Sequence, residues 1–142
     1  MPYRYLPDVS RADLAFEAKG DTLHELFAEA AKATEGAMVK LEGVRPEVVR
    51  EFALRGDALD RLLHDWLEEL ITLKDSEVLL FSRFDVKVTG KEGDYALTAK
   101  AWGERIDYKR HELGIDVKAC TWHMLTVEKT EKGWRCLVIL DV

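Results

Sequence analysis

Carboxylates are the side chains of this sequence whose placement could do chemistry. Asp13 lies near the start of an alternating segment and Glu112 in a polar run. Asp141 is the penultimate residue, beside the main-chain carboxylate of Val142. Hard oxygen donors of this kind suit Ca²⁺ or Mg²⁺ and fit a structural zinc site poorly. Two adjacent carboxylates repel each other unless a cation compensates them, and Lys118 is the candidate lysine for that role. The ordinary alternative is a set of solvated surface carboxylates. His111-Glu112 could form a general acid–base pair. Neighbours in a loop are not thereby in hydrogen-bonding geometry, so a surface role is the simpler expectation. Asp65 flanks an apolar helical stripe, where it could pair with a cation, shape a site or simply face water. His123, on an apolar strand face, reads as a hydrogen-bonded core histidine. No nucleophile elbow, P-loop, dinucleotide-binding glycine pattern or HExxH zinc motif occurs, which removes the commonest enzyme readings.

A terminal hairpin has to position most of these groups. Residues 117–127 alternate between two faces and residues 134–141 alternate again, with a Gly-containing turn at 130–133 between them. Two β-rich runs so joined predict an antiparallel pair. If Lys129 lies opposite Trp134, Asp141 lies opposite Trp122 and shares a face with Lys118. A slip of one residue would undo this. In that register Cys120 and Cys136 project to opposite faces. A disulfide between them is then not expected, and each reads as a small buried hydrophobe.

Upstream, Pro7-Asp8 marks a turn before a half-buried strand over 11–19. Thr22-Leu23-His24-Glu25 matches a capping box, so Asp21 or Thr22 starts a helix, with His24 exposed in its first turn. A strand follows over 47–54. Asp57 caps the strongest helix, 57–73, whose stripe of Leu59, Leu62, Leu63, Trp66, Leu67, Leu70 and Ile71 makes it a core element. A buried strand begins at Val78-Leu79-Leu80-Phe81 and runs to Val88. It turns over 90–94 and returns over 95–102. The polar loop 103–114 then leads into the terminal hairpin, and its length suggests function over mere connection. The order strand-helix-strand-helix followed by about four strands predicts an α+β fold, two helices packed on a mixed, mostly antiparallel sheet.

With 142 residues and 47% hydrophobic content, a single domain over 1–142 with a substantial core is expected. A net charge of −6 disfavours independent nucleic-acid binding, which needs clustered Lys and Arg. Any link to nucleic acid should run through a partner or a compensating metal. No run is long and apolar enough to span a membrane, and the first residues lack a signal-peptide pattern, so a cytoplasmic protein is the default.

Several blocks resemble the archease family over nearly the whole chain and in the same order. They are Leu63-His64-Asp65-Trp66-Leu67-Glu68-Glu69-Leu70, Phe81-Ser82-Arg83-Phe84, His111-Glu112-Leu113-Gly114, Val117-Lys118-Ala119, Thr121-Trp122-His123 and the final Ile139-Leu140-Asp141-Val142. The resemblance implies a small accessory protein of RtcB-type RNA-splicing ligases, which join tRNA halves using GTP and a divalent metal. It implies promotion of ligase guanylylation and of multiple turnover, contact with tRNA only through the ligase, and no catalysis of its own. It further implies a divalent-cation site held by Asp13, Asp141 and Val142, with calcium expected and magnesium or manganese admissible. The family's functional lysine falls on Lys118. His111, Glu112 and Asp65 join Lys118 as candidate partner-facing residues, and a monomer or weak homo-oligomer is expected. The family's N-terminal motif reads His-Thr-Ala-Asp-Val-Gly, whereas this chain has Ser10-Arg11-Ala12-Asp13-Leu14-Ala15. Two other readings use the same residues differently. One is a metal-dependent phosphoester hydrolase built on Asp13, Asp141 and His111-Glu112. The other is a general chaperone-like module.

Overall fold

The first helix is pinned at its start by local chemistry. In the computed structural model, which describes residues 2–7 and 13–142, α1 (Leu23–Met38) begins at Thr22. The Thr22 hydroxyl accepts from the Glu25 N–H, and the Glu25 carboxylate reaches back to the Asp21 N–H, as the capping box predicts. α2 (Leu59–Glu77) starts two residues later and ends four residues later than the periodicity suggested. Ala58, not Asp57, is its N-cap, and no side chain caps it. Its last turn closes on Val78 in the left-handed region, φ 58°, with the Val78 N–H bonded to the Leu73 carbonyl.

The fold is α+β, as expected, with the strands in two antiparallel sheets where a single mixed, mostly antiparallel sheet was expected. β1 (Tyr3–Leu6), β2 (Asp13–Gly20), β8 (Gly133–Asp141) and β6 (Ala119–Cys120) lie side by side, and β7 (Thr126–Thr130) also pairs with β8. β3 (Val48–Gly56), β5 (Asp94–Arg105) and β4 (Leu79–Lys91) make the second sheet in that order. All pairings among the described residues are antiparallel. β1 has no counterpart in the sequence reading: four residues followed by a proline give too short an alternation to register. The Pro7-Asp8 turn lies partly outside the described residues, and so do Ser10, Arg11 and Ala12.

Both helices contact both sheets, and this explains the breadth of their apolar surfaces. On α1, Leu26, Phe27, Ala30, Ala31 and Ala33 are all buried, the alanines allowing close approach on more than one side. Trp66 of α2 is fully buried and packs edge-on to Phe52 with ring centroids 5.0 Å apart. Its indole N–H donates to the Phe27 carbonyl at 3.1 Å, tying the two helices together. Each large side chain so buried contributes about 1.5–3 kcal/mol.

At the head of β4 the ladder slips between Phe81 and Arg83. The Phe81 N–H turns inward to the buried Glu35 carboxylate, 2.8 Å away, and the Ser82 hydroxyl bonds the Val44 carbonyl. Gly103 sits opposite, where an added Cβ would lie 1.8 Å from the Leu80 carbonyl oxygen. The segment read as loop from Gly103 onward is therefore strand as far as Arg105.

Candidate functional site

β2 and β8 run antiparallel with Asp13 directly opposite Asp141. Residues so placed leave the sheet on the same face with Cβ atoms about 4.5–5.5 Å apart. On the other side of β8, Ala119 lies opposite Asp141, and the Lys118 N–H donates to the Asp141 carbonyl at 2.8 Å. Three pieces of chain distant in sequence thus converge on one end of the central strand. Val142, just beyond β8, packs its side chain against the core.

The hairpin register is right at one end and wrong at the other. Lys129 pairs with Trp134 as expected. Asp141, however, faces Ala119 and not Trp122, a slip of three residues. The predicted continuous strand over 117–127 is broken by a turn at 121–125 in which Met124 adopts φ 55°. An odd slip exchanges the two faces, which has three consequences. By strict alternation Lys118 falls off the face of Asp141, and the contact between them is main-chain. Cys120 pairs with Leu140 and therefore shares the core face with Cys136; both are buried and free, and burial pushes each thiol up to about 12. His123 is exposed in the turn, not set in the core.

The donor set fits a hard cation. Two carboxylates face each other across a strand pair, where like charges are destabilising unless compensated. None of the ion pairs among the described residues involves either of them. Also among the described residues, no three His, Cys, Asp or Glu side chains gather to hold a metal. A third protein donor would be the main-chain carboxylate of Val142.

The structure separates the remaining candidates. His111 is buried, contrary to the surface role expected of it. Its Nδ1 accepts from the Asp107 N–H at 2.8 Å, so Nε2 carries the hydrogen that meets Glu104, 2.7 Å away. Glu104 also accepts from the Arg110 guanidinium and the Arg45 N–H. Burial alone would raise this carboxyl, but the hydrogen bonds from Arg110, Arg45 and His111 hold it down at about 2. His111 therefore organises its loop, and both ring nitrogens are engaged. Glu112 is exposed, and its carbonyl accepts from the Lys40 N–H.

Asp65 faces a neighbouring histidine. Its carboxylate lies 3.0 Å from Nδ1 of His64, whose Nε2 lies 2.9 Å from the Cys120 carbonyl. The His64 ring stacks on Trp122 at 3.7 Å, and Glu68 takes the Cys120 N–H. His64 and Glu68 had no role in the sequence reading. Their signal was present: they stand four apart at the margin of the α2 stripe, spaced to grip one neighbouring strand. His24, exposed as expected, also accepts the Val88 N–H at 2.8 Å.

Comparisons with known proteins bear on the chain as a whole. The family model described as the Archease protein family (MTH1598/TM1083) matches residues 3–142. The protein archease of Pyrococcus abyssi is 38% identical over 132 residues, 92% of this chain and 93% of that protein. The protein archease of Methanopyrus kandleri is 38% identical over 131 residues, 92% and 94% of the two chains. The solution structure of Methanobacterium thermoautotrophicum protein 1598 superposes with a TM-score of 0.86 at 35% identity, covering 99% of both chains. A crystal structure described as an archease, possible chaperone, from Thermotoga maritima shares the fold at 20% identity, with a TM-score of 0.61 over 96% of each chain. With a family model spanning the fold and relatives above one-third identity along nearly their whole length, this chain belongs to the archease family.

Proposed function

We propose that this protein is a non-catalytic activator of an RtcB-type RNA ligase, promoting ligase guanylylation and multiple turnover in tRNA splicing. The observation that carries the reading is the direct pairing of Asp13 with Asp141 at the end of β8, with Lys118 bonded to the same residue. Asp13, Asp141 and the Val142 carboxylate would hold a divalent cation there, calcium foremost. When bound, that cation supplies a positive charge within reach of phosphate oxygens. The chain's own part is positional. The β2–β8 ladder sets the two side-chain carboxylates side by side, and the Lys118 N–H fixes the main chain of Asp141. The exposed Lys118 side chain offers a second cation toward a nucleotide or an acidic partner surface. With a net charge of −6, contact with RNA would run through the ligase.

The experiment is a ligase guanylylation and ligation assay with and without this protein. Wild-type protein should speed guanylylation and permit turnover beyond one ligation per enzyme. Asp141→Ala should lose that effect while melting like wild type. Full activation by Asp141→Ala would discard the proposal. So would hydrolysis of phosphoesters by the isolated protein in Mg²⁺ or Mn²⁺, or protection of unrelated aggregating proteins with no effect on the ligase.

A further inference from the structure

In the turn between β6 and β7, beside Val138 and Ile139 of β8, the chain exposes apolar side chains that the fold holds in place. Trp122 is 55% exposed and Met124 52% exposed, in the turn that interrupts the terminal hairpin. Exposed side chains of this size are usually mobile; these are constrained. The Trp122 ring lies flat on His64, whose two nitrogens are tied to Asp65 and to the Cys120 carbonyl. Met124 sits at φ 55°, a left-handed conformation that a non-glycine residue adopts only where its surroundings enforce it. A large aromatic whose ordering entropy is already spent is the hallmark of a binding anchor.

What lies beside the turn indicates the chemistry of the occupant. The next residues, Leu125 and Thr126, line a hollow of about 410 Å³ shared with the start of α2 and the β4–β5 turn. Leu59, Tyr95 and Leu125 give it apolar walls, while Asp60, Glu92 and Glu128 supply its charge; among the described residues no lysine or arginine lines it. Glu128 is bonded to Arg135 from one side, whereas Glu92 stands in the exposed turn. An apolar-walled hollow with acidic edges accepts a side chain with an aliphatic stem and a cationic head.

We infer that the Trp122–Met124 turn and the adjoining acidic hollow form a docking surface for a protein segment carrying a lysine or arginine flanked by apolar side chains. Trp122 and Met124 take the apolar side chains, and Asp60, Glu92 and Glu128 take the cation. The inference rests on the reading of this chain as an accessory protein only in naming the ligase as the protein that bears this segment.

The test has two arms. In the first, binding of the full-length RtcB-type ligase is measured by calorimetry for wild type, Trp122→Ala and Glu92→Lys. Each variant should bind at least about tenfold more weakly, the loss expected of a central anchor or a reversed charge. Activation at saturating variant should nevertheless match wild type, because Asp13 and Asp141 are untouched. Glu92→Lys lies in an exposed turn and guards against misfolding of Trp122→Ala. Wild-type affinity in both variants overturns the docking surface and leaves the proposed activation standing. In the second arm, a short peptide alternating leucine and arginine is titrated while amide and indole NMR shifts are followed, with glutamate replacing arginine in the control. If the ligase does not bind wild-type protein but the basic peptide shifts Trp122, Tyr95 and Glu92, the ligase assignment falls and the surface stands. Absence of both ligase binding and peptide shifts overturns both.

Discussion

The Glu35 carboxyl is buried in α1 with no access to solvent. One oxygen accepts the Phe81 N–H at 2.8 Å; the other has no partner among the described residues. Burial pushes this group up to about 8 from an ordinary 4.5, only partly opposed by the Phe81 bond and by the charge of Lys74. The raised value means that the folded state keeps its proton after the unfolded chain has lost it. Stability from the neutral acid is therefore complete below about pH 4.5 and is lost as pH rises toward 8. At about 1.4 kcal/mol per pH unit, the loss over that window is roughly 3–5 kcal/mol. Glu35→Gln keeps the carbonyl that Phe81 needs and cannot ionise. Its buried NH₂ lacks a partner and costs about 1–3 kcal/mol, equally at every pH. The diagnostic is therefore the difference in slope. Urea unfolding of both proteins at pH 5, 7 and 9 should show wild type losing several kcal/mol that Glu35→Gln retains. In melting temperature the two curves should diverge by roughly 10 °C. Parallel pH profiles would refute the reasoning, because Glu35 would then be ionising without penalty.

Four further outcomes follow from named contacts. Glu104 is held well below its usual range, so its contribution is present above about pH 4.5 and lost as pH falls toward 2; Glu104→Ala, which strands His111 and the Arg45 N–H, should cost about 3 kcal/mol at pH 7 by urea unfolding. Gly103→Ala drives a Cβ into the Leu80 carbonyl and should lower the melting temperature by at least about 10 °C or leave the protein insoluble. Cys120 and Cys136, both buried with raised thiols, should resist a thiol reagent in native protein and react together once it unfolds. If Asp13 and Asp141 hold a cation, Ca²⁺ at one hundred times its dissociation constant should stabilise wild type by about 3 kcal/mol and leave Asp141→Ala unchanged.

Long, strongly periodic segments were legible in the sequence because one physical signal dominates them. The α2 stripe and the alternation along most of β4 and β5 reflect a single buried face, and the structure reproduces these elements, with β2 and β8, within a few residues. The capping box located the start of α1. What escaped was information carried by contacts distant in sequence. β1 is four residues whose place is set by pairing with β2. The α2 N-cap at Ala58 has no side-chain signature. The hairpin was read as continuous because residues 117–127 alternate without a break. Nothing local announces that Met124 turns left-handed and shifts the register by three. That shift moved Lys118, Cys120 and His123 off their expected faces, while Asp13 and Asp141 still meet, since their pairing depends on β2 and not on β6. His111 was misjudged for a related reason: its partners, Asp107 and Glu104, come together only when the loop folds back on the end of β5.

β8 is the last strand in sequence yet lies in the middle of its sheet, bonded to β2 on one side and to β6 and β7 on the other. During synthesis the β3–β5–β4 sheet and both helices can assemble while the other sheet still lacks its centre. Until β8 has emerged and paired, β2 and β6 present open edges with no strand between them, the geometry that invites pairing with other chains. Deleting Gly133–Asp141 should therefore yield an aggregating fragment, since this strand is the keystone of its layer and no mere fringe.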